Sequence, residues 1–165
     1  MTTTQRFLKQ LEQESATTRK MLKVVPDGKL DWQPHPKSMS LRRLATHVAE
    51  IPGWVNITLT TDGLDLAKAG SNPTNINDNA ELLAFFEKEL ASGINALQNA
   101  KDEDLVPTWT MSYGERIISV RPKEDVIIMC LSQLIHHRAQ LGVFLRLLDV
   151  PIPGSYGPSA DEMTM

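Results

Sequence analysis

Several features that mark particular classes of protein are scarce in this sequence. Cys130 is the only cysteine among 165 residues, so no disulfide can form within the chain, and a reducing, cytoplasmic location is favoured. No Lys- or Arg-rich run occurs, and the net charge is −3, so neither a nucleic acid nor an anionic membrane is an expected partner. No apolar run approaches the roughly 18 residues of a membrane span, and the N-terminus lacks the apolar core of a signal peptide.

The sequence does contain enough apolar material for one helical domain. Hydrophobic residues make up 41% and charged residues 22% of the chain, which is ordinary for a globular protein. The length predicts a single domain covering residues 1–165. Apolar residues recur every three or four positions in four segments, which predicts helices from about Thr4 to Val25, Ser40 to Thr60, Asn79 to Ala100 and Pro122 to Leu148.

The segments between these helices carry loop, turn and strand signals. Residues 30–39 contain two prolines and predict an extended loop, and residues 62–77, rich in Gly, Asn, Ser and Pro, predict a surface connection. Two β-type runs at 108–111 and 117–120 flank a Gly-containing turn and predict a short β-hairpin before the last helix. The pattern as a whole predicts an all-α fold, a four-helix bundle with crossover connections.

The four histidines are the first candidates for a functional site. His35 lies in the proline-rich loop and is predicted to be solvated. His47 continues the apolar stripe of the second helix, and His137 fills the gap between Leu134 and Leu141 in the stripe of the fourth. Both are therefore predicted to point into the bundle. His136 lies about 100° around the helix from His137, so the two cannot both point at the bundle axis.

One inward histidine is usually a hydrogen-bonded core residue, but two on facing helices favour a metal site. Imidazole suits zinc, nickel, copper or iron. The position four residues before His137 is Gln133, whose neutral amide oxygen is a weak donor for such metals. The position three residues after His47 is Glu50, which could ligate the metal, act as a base on a bound water, or be an exposed charge.

Three runs of sequence resemble one known family. They are QLIHHRAQL at 133–141, HVAEIPGW at 47–54 and PIPGSYGPSADE at 151–162. In this order they resemble the fourth-helix signature, the second-helix motif and one C-terminal signature of the DinB-like family, within the DinB/YfiT superfamily of metalloenzymes.

The resemblance implies an up-down-down-up four-helix bundle, commonly dimeric. It also implies a divalent metal, nickel or zinc, held by three histidines, one from the second helix and two from the fourth in an H-x-x-x-H arrangement. By position these ligands are His47, Gln133 and His137. Because glutamine replaces the middle histidine, the resemblance implies a weakened metal site.

The resemblance also sets the functional expectations. Known activities in the superfamily transfer low-molecular-weight thiols such as bacillithiol or mycothiol. The first hypothesis is therefore a metal-dependent thiol S-transferase or hydrolase acting on a small-molecule substrate, with Glu50 as the catalytic residue. The second is a non-catalytic, stress-related binding protein with a degenerate metal site. A DNA-associated repair accessory ranks last because the chain is acidic. A homodimer formed through helix faces is expected, with Met129 and Phe144 as weak support.

Overall fold

The structure, a computed structural model, describes residues 1–69 and 74–163. Four long α-helices dominate these residues, together with a three-stranded sheet, one short α-helix and two short 3-10 helices at Asp27–Lys29 and Asp102–Leu105. In chain order the elements are α1 (Thr3–Lys23), α2 (Leu41–Thr60), β1 (Gly63–Asp65), α3 (Leu66–Ala69), α4 (Asn79–Asn99), β2 (Thr108–Tyr113), β3 (Arg116–Pro122) and α5 (Lys123–Leu147). The prediction of a mostly helical chain with four long helices is confirmed.

Local side-chain caps explain where three of the four long helices begin. Ser40, the residue at which the second helix was predicted to begin, is the N-cap of α2, because its hydroxyl accepts a hydrogen bond from the backbone N–H of Arg43. Thr2 and Gln5 form a reciprocal capping box at the start of α1. Asp78 caps α4 in the same manner as Ser40 caps α2. Each cap satisfies backbone N–H groups that the first helical turn leaves without partners.

The helices pack so that α1 and α2 are each in contact with both α4 and α5. The apolar stripes meet in one continuous core, of which Leu44, Val48, Phe86, Leu134 and Leu141 are almost fully buried members. The contact between α2 and α5 positions the histidines, because it brings the predicted second-helix and fourth-helix motifs face to face.

The small sheet lies beside the bundle and has the strand order β1-β2-β3. β2 pairs antiparallel with β3 across a turn in which Gly114 has a left-handed φ of 58°. β1 adds a parallel partner to β2. β1 and α3 lie within the segment 62–77 that the sequence predicted to be a surface connection, so that expectation was incomplete. Residues 70–73 of the same segment lie outside the described part of the chain.

The interior of α5 departs from the prediction at one position. Between Leu134 and Leu141, Arg138 rather than His137 occupies the buried face, and it is 2% exposed. His137 is half-buried and lies on the side of α5 that meets α2. Periodicity alone assigns an arginine to the surface. Its burial here depends on partners in α1 and in the C-terminal tail.

The tail beyond α5 runs back over the bundle without forming a regular helix up to Met163. Arg146 holds it through a two-bond contact with Asp161, which lowers the pKa of that carboxyl to about 2. Among the described residues, no helix combines the length and hydropathy needed to cross a membrane.

Candidate metal centre

The candidate site lies where α2 meets α5. The imidazole rings of His47 and His137 are in edge-to-face contact there, with their centroids 4.5 Å apart. The structure thus brings together the two histidines that the sequence singled out. His136 is exposed and borders the site, with its ring centroid 4.9 Å from that of His137. His35 lies in the exposed loop, as predicted, and takes no part.

Both histidines are held by the same kind of hydrogen bond. Nδ1 of His47 donates to Oε1 of Glu50 at 2.6 Å, and Nδ1 of His137 donates to Oε1 of Gln140 at 2.7 Å. Each acceptor lies three residues after its histidine, on the same helix face. Since the oxygens accept the Nδ1 protons, the lone pair of each neutral ring is on Nε2. This arrangement is typical of metal-binding histidines, whose second nitrogen is fixed by an oxygen acceptor.

The surroundings of His137 favour its neutral form. Burial, the largest cause, lowers the pKa of His137, and electrostatic interactions with His47, His136 and Arg43 lower it further, while the hydrogen bond to Gln140 opposes them. Neutral imidazole is the form that binds metals. Arg43 also lies 3.6 Å from Oε1 of Glu50. The Glu50 carboxylate therefore interacts with both Arg43 and His47.

The remaining predicted site residues lie close by but do not complete a cluster of strong donors. Gln133 is half-buried one helical turn before His137. Glu50 is tied to His47 through Oε1. Within residues 1–69 and 74–163, no three His, Cys, Asp or Glu side chains converge as metal ligands. The candidate donors here are therefore two imidazole nitrogens and the neutral amide oxygen of Gln133, which is a weaker donor set than three imidazoles.

Sequence reasoning missed Glu89, a carboxyl group that α4 contributes beside the site. Its side chain packs against Gly53 so closely that a Cβ atom at Gly53 would overlap it. Burial, as the largest cause, and the neighbouring Glu50 carboxylate raise the pKa of Glu89, whereas Lys88 lowers it. The only sequence signal was a glycine inside a helix, which marks close approach of a neighbour but does not identify it.

On the side of α5 that faces α1, about 100° around the helix from His137, Arg138 forms a hydrogen-bonded polar cluster. Its guanidinium lies 2.7 Å from Oε2 of Glu14 and donates to the Glu14 carbonyl oxygen and to the Thr18 hydroxyl. It also donates to the hydroxyl of Tyr156 in the tail, and that hydroxyl donates to the Glu14 carboxylate. Tyr156 thereby fastens the tail to the bundle. This cluster is a structural element, because its polar groups are used within the chain.

The comparison with protein families identifies the class to which this fold and site belong. The sequence model of the DinB family matches residues 1–164, so the chain belongs to the DinB family.

Individual relatives agree with this assignment. The uncharacterized protein YrdA of Bacillus subtilis (strain 168) is 28% identical over 160 residues, which cover 94% of this chain and 89% of YrdA. A DinB-like protein from Bacillus cereus ATCC 10987 is 25% identical, with a TM-score of 0.70 and coverage of 91% of this chain and 95% of its own.

A further solved structure shares the fold at lower identity. It is YfiT from Bacillus subtilis, described as a probable metal-dependent hydrolase with an unusual four-helix bundle topology. It is 16% identical, with a TM-score of 0.65 and coverage of 88% of this chain and 87% of its own.

Proposed function

We propose that this chain is a metal-dependent hydrolase that binds a divalent ion, zinc or nickel, between α2 and α5. Nε2 of His47, Nε2 of His137 and the amide oxygen of Gln133 would hold the ion. The observation that carries the proposal is the pair of Nδ1 hydrogen bonds to Glu50 and Gln140. They leave the two Nε2 lone pairs as the free donors of two rings already in contact. The description of YfiT as a probable metal-dependent hydrolase adds support.

A bound divalent ion would supply Lewis acidity, which lowers the pKa of a water or thiol nucleophile toward neutrality. The chain's own residues perform the other tasks. Glu50, predicted to be catalytic, accepts the Nδ1 proton of His47 and so fixes the ring's tautomer and orientation. Gln140 does the same for His137. Arg43 partly neutralises Glu50, which limits the negative charge beside the site.

The proposal keeps the up-down-down-up order of the long helices. Three sets of contacts support it. Arg19 pairs with Glu87 and Thr4 with Asp102, as expected for antiparallel α1 and α4. Pro52 of α2 lies against Gly93 of α4. Later in both helices, Thr60 and Asn99 line one pocket, as expected for parallel α2 and α4. His47 meets His137, while Thr58 and Val126 line one cavity, as expected for antiparallel α2 and α5.

Activity assays on metal-defined protein test the proposal. Protein purified without a histidine tag would be loaded with zinc or nickel and assayed for ester hydrolysis, and separately for thiol transfer to an electrophile. We expect hydrolysis that EDTA removes, that His137→Asn abolishes and that His35→Asn leaves intact, because His35 lies outside the site. Thiol transfer without hydrolysis would reassign the nucleophile from water to a thiol. Equal activity in the EDTA-treated protein would contradict metal dependence.

The second candidate function is a non-catalytic binding protein with a degenerate metal site. Gln133 and the lack of a three-donor cluster among the described residues favour it. It predicts no retained metal and no activity in either assay.

A homodimer remains part of the proposal, but through other residues than first expected. Met129 lines an internal cavity and Phe144 packs on Trp32, so both are used within the chain. The surface of α5 instead has an exposed apolar face, about 100° wide around the helix, formed by Ile128, Val143 and Leu147. Sedimentation at micromolar concentration should show a dimer, and Val143→Lys should shift it toward monomer. A monomeric wild type would contradict this part.

A further inference from the structure

A small apolar cavity lies along the α2–α5 seam beyond the histidine pair. Its volume is about 50 Å³, and apolar side chains of α2, α5 and the sheet, including Trp54, Trp109, Met111 and Met129, provide most of its lining. On α5, Met129 and Cys130 precede Gln133 by one turn, and Gln133 precedes His137 by one turn. The cavity therefore begins about one helical turn from Gln133, roughly 5 Å along the helix axis.

Trp54 lies between the cavity and the histidine pair. Its ring lies 5.3 Å from that of His47, centroid to centroid, and the same side chain lines the cavity. A ligand anchored at the histidines and extending along the seam past Gln133 would thus reach the cavity beside Trp54.

The polar groups around the cavity are already used within the chain. The Thr58 hydroxyl donates to the carbonyl oxygen of Trp54, and the indole N–H of Trp109 donates to Thr61. Burial raises the pKa of the Cys130 thiol to about 12, so this side chain remains a neutral, small apolar group. A buried water needs two to four polar partners, and these walls do not offer them. The cavity suits an apolar group better than water.

We propose that the substrate carries a short unbranched apolar group and that this group binds in the cavity, with Trp54 as its wall on the side of the site. The proposal rests on the metal-dependent function proposed above, since the metal would hold the reacting end. The volume is several times the roughly 10–15 Å³ that one water-sized probe needs, which leaves room for a chain of about three or four carbons.

The test compares acetohydroxamate with butyrohydroxamate, probes whose two oxygens bind divalent metals and whose chains differ by two methylenes. Titrations would use zinc-loaded and metal-free protein, with the methyl NMR signals of Met111 and Met129 as reporters. Each buried methylene should tighten binding about fourfold, so butyrohydroxamate should bind zinc-loaded wild type about 15-fold more tightly. Only butyrohydroxamate should shift the two methionine signals.

Two matched variants decide whether the cavity accounts for the gain. Val126→Ile adds a methyl group inside the cavity, and Val106→Ile makes the same change at an exposed position away from the cavity. Val126→Ile should lose most of the 15-fold gain while acetohydroxamate affinity stays unchanged, and Val106→Ile should behave as wild type. If the cavity is only a packing defect that no ligand enters, Val126→Ile should be more stable than wild type. Both proteins should then show the same ratio of butyrohydroxamate to acetohydroxamate affinity, and that result would overturn the proposal.

The two proposals fail in different ways. Absence of zinc binding would overturn the metal-dependent function. The metal-free titration would then decide the cavity, because butyrohydroxamate at millimolar concentration should still shift the signals of Met111 and Met129. If neither signal moves in either form of the protein, the cavity does not accept the chain.

Discussion

His137 and Arg138 are consecutive residues of α5, and they belong to two regions with opposite character. Arg138 is 2% exposed and is bound by Glu14, Thr18 and Tyr156. His137 is half-buried and uses one nitrogen for Gln140, which leaves the lone pair of the other free. The comparison separates two uses of polar groups in a helical bundle. A polar cluster that satisfies itself holds elements together, whereas one that keeps a donor free is available to a ligand.

The largest expected effect comes from breaking the buried cluster. Arg138→Met leaves the Glu14 carboxylate buried without its cation and should lower the free energy of unfolding by about 3–5 kcal/mol. Glu14→Leu combined with Arg138→Met should recover much of the loss, because no uncompensated charge remains. By contrast, His137→Asn should change stability by less than about 1 kcal/mol. Urea unfolding measures all three. Equal losses for Arg138→Met and His137→Asn would remove the distinction between the regions.

Tyr156 provides a smaller test of the same cluster. Tyr156→Phe removes the hydroxyl that bridges Glu14 and Arg138 while keeping the ring, and should cost about 1 kcal/mol. The tail should also become easier to cleave by limited proteolysis. The exposed Tyr113, changed to Phe, is the matched control. Unchanged proteolysis of Tyr156→Phe would show that other contacts, such as Arg146 with Asp161, hold the tail by themselves.

The smallest effect concerns pH and the histidine region. The pKa of His137 in the folded chain lies below its ordinary value of 6.5. As the pH falls below about 6.5, the unfolded chain therefore binds protons before the folded chain does, and stability decreases through the folded pKa. His137→Gln should reduce this loss between pH 7.5 and pH 5, and His35→Gln should not. Denaturation curves at the two pH values give the free energy of unfolding at each pH. An equal loss of this free energy between pH 7.5 and pH 5 in the wild type and in His137→Gln would refute the prediction.

Periodicity was sufficient to predict much of this molecule. The apolar stripes located four helices, and Ser40 marked the start of α2. The position of each histidine relative to the apolar stripe of its own helix indicated that His47 and His137 would meet. Periodicity failed at Arg138 and Glu89, whose positions depend on partners in other helices. Glu14 is 124 residues from Arg138 in sequence, and Gly53 makes room for Glu89 only because α2 packs on α4. β1 was missed since three residues are too few to show an alternating pattern.

The proposed function requires that Gln133 occupy a metal-ligand position beside His47 and His137. Titration calorimetry with zinc on wild type and on Gln133→His tests it most directly. Ser132→His is the matched control, because it adds an imidazole at the neighbouring, exposed position of the same helix. Gln133→His completes three nitrogen donors and should bind zinc at least about tenfold more tightly than wild type, while Ser132→His should not. Tight binding of one zinc by wild type, unchanged in Gln133→His, would contradict the ligand assignment.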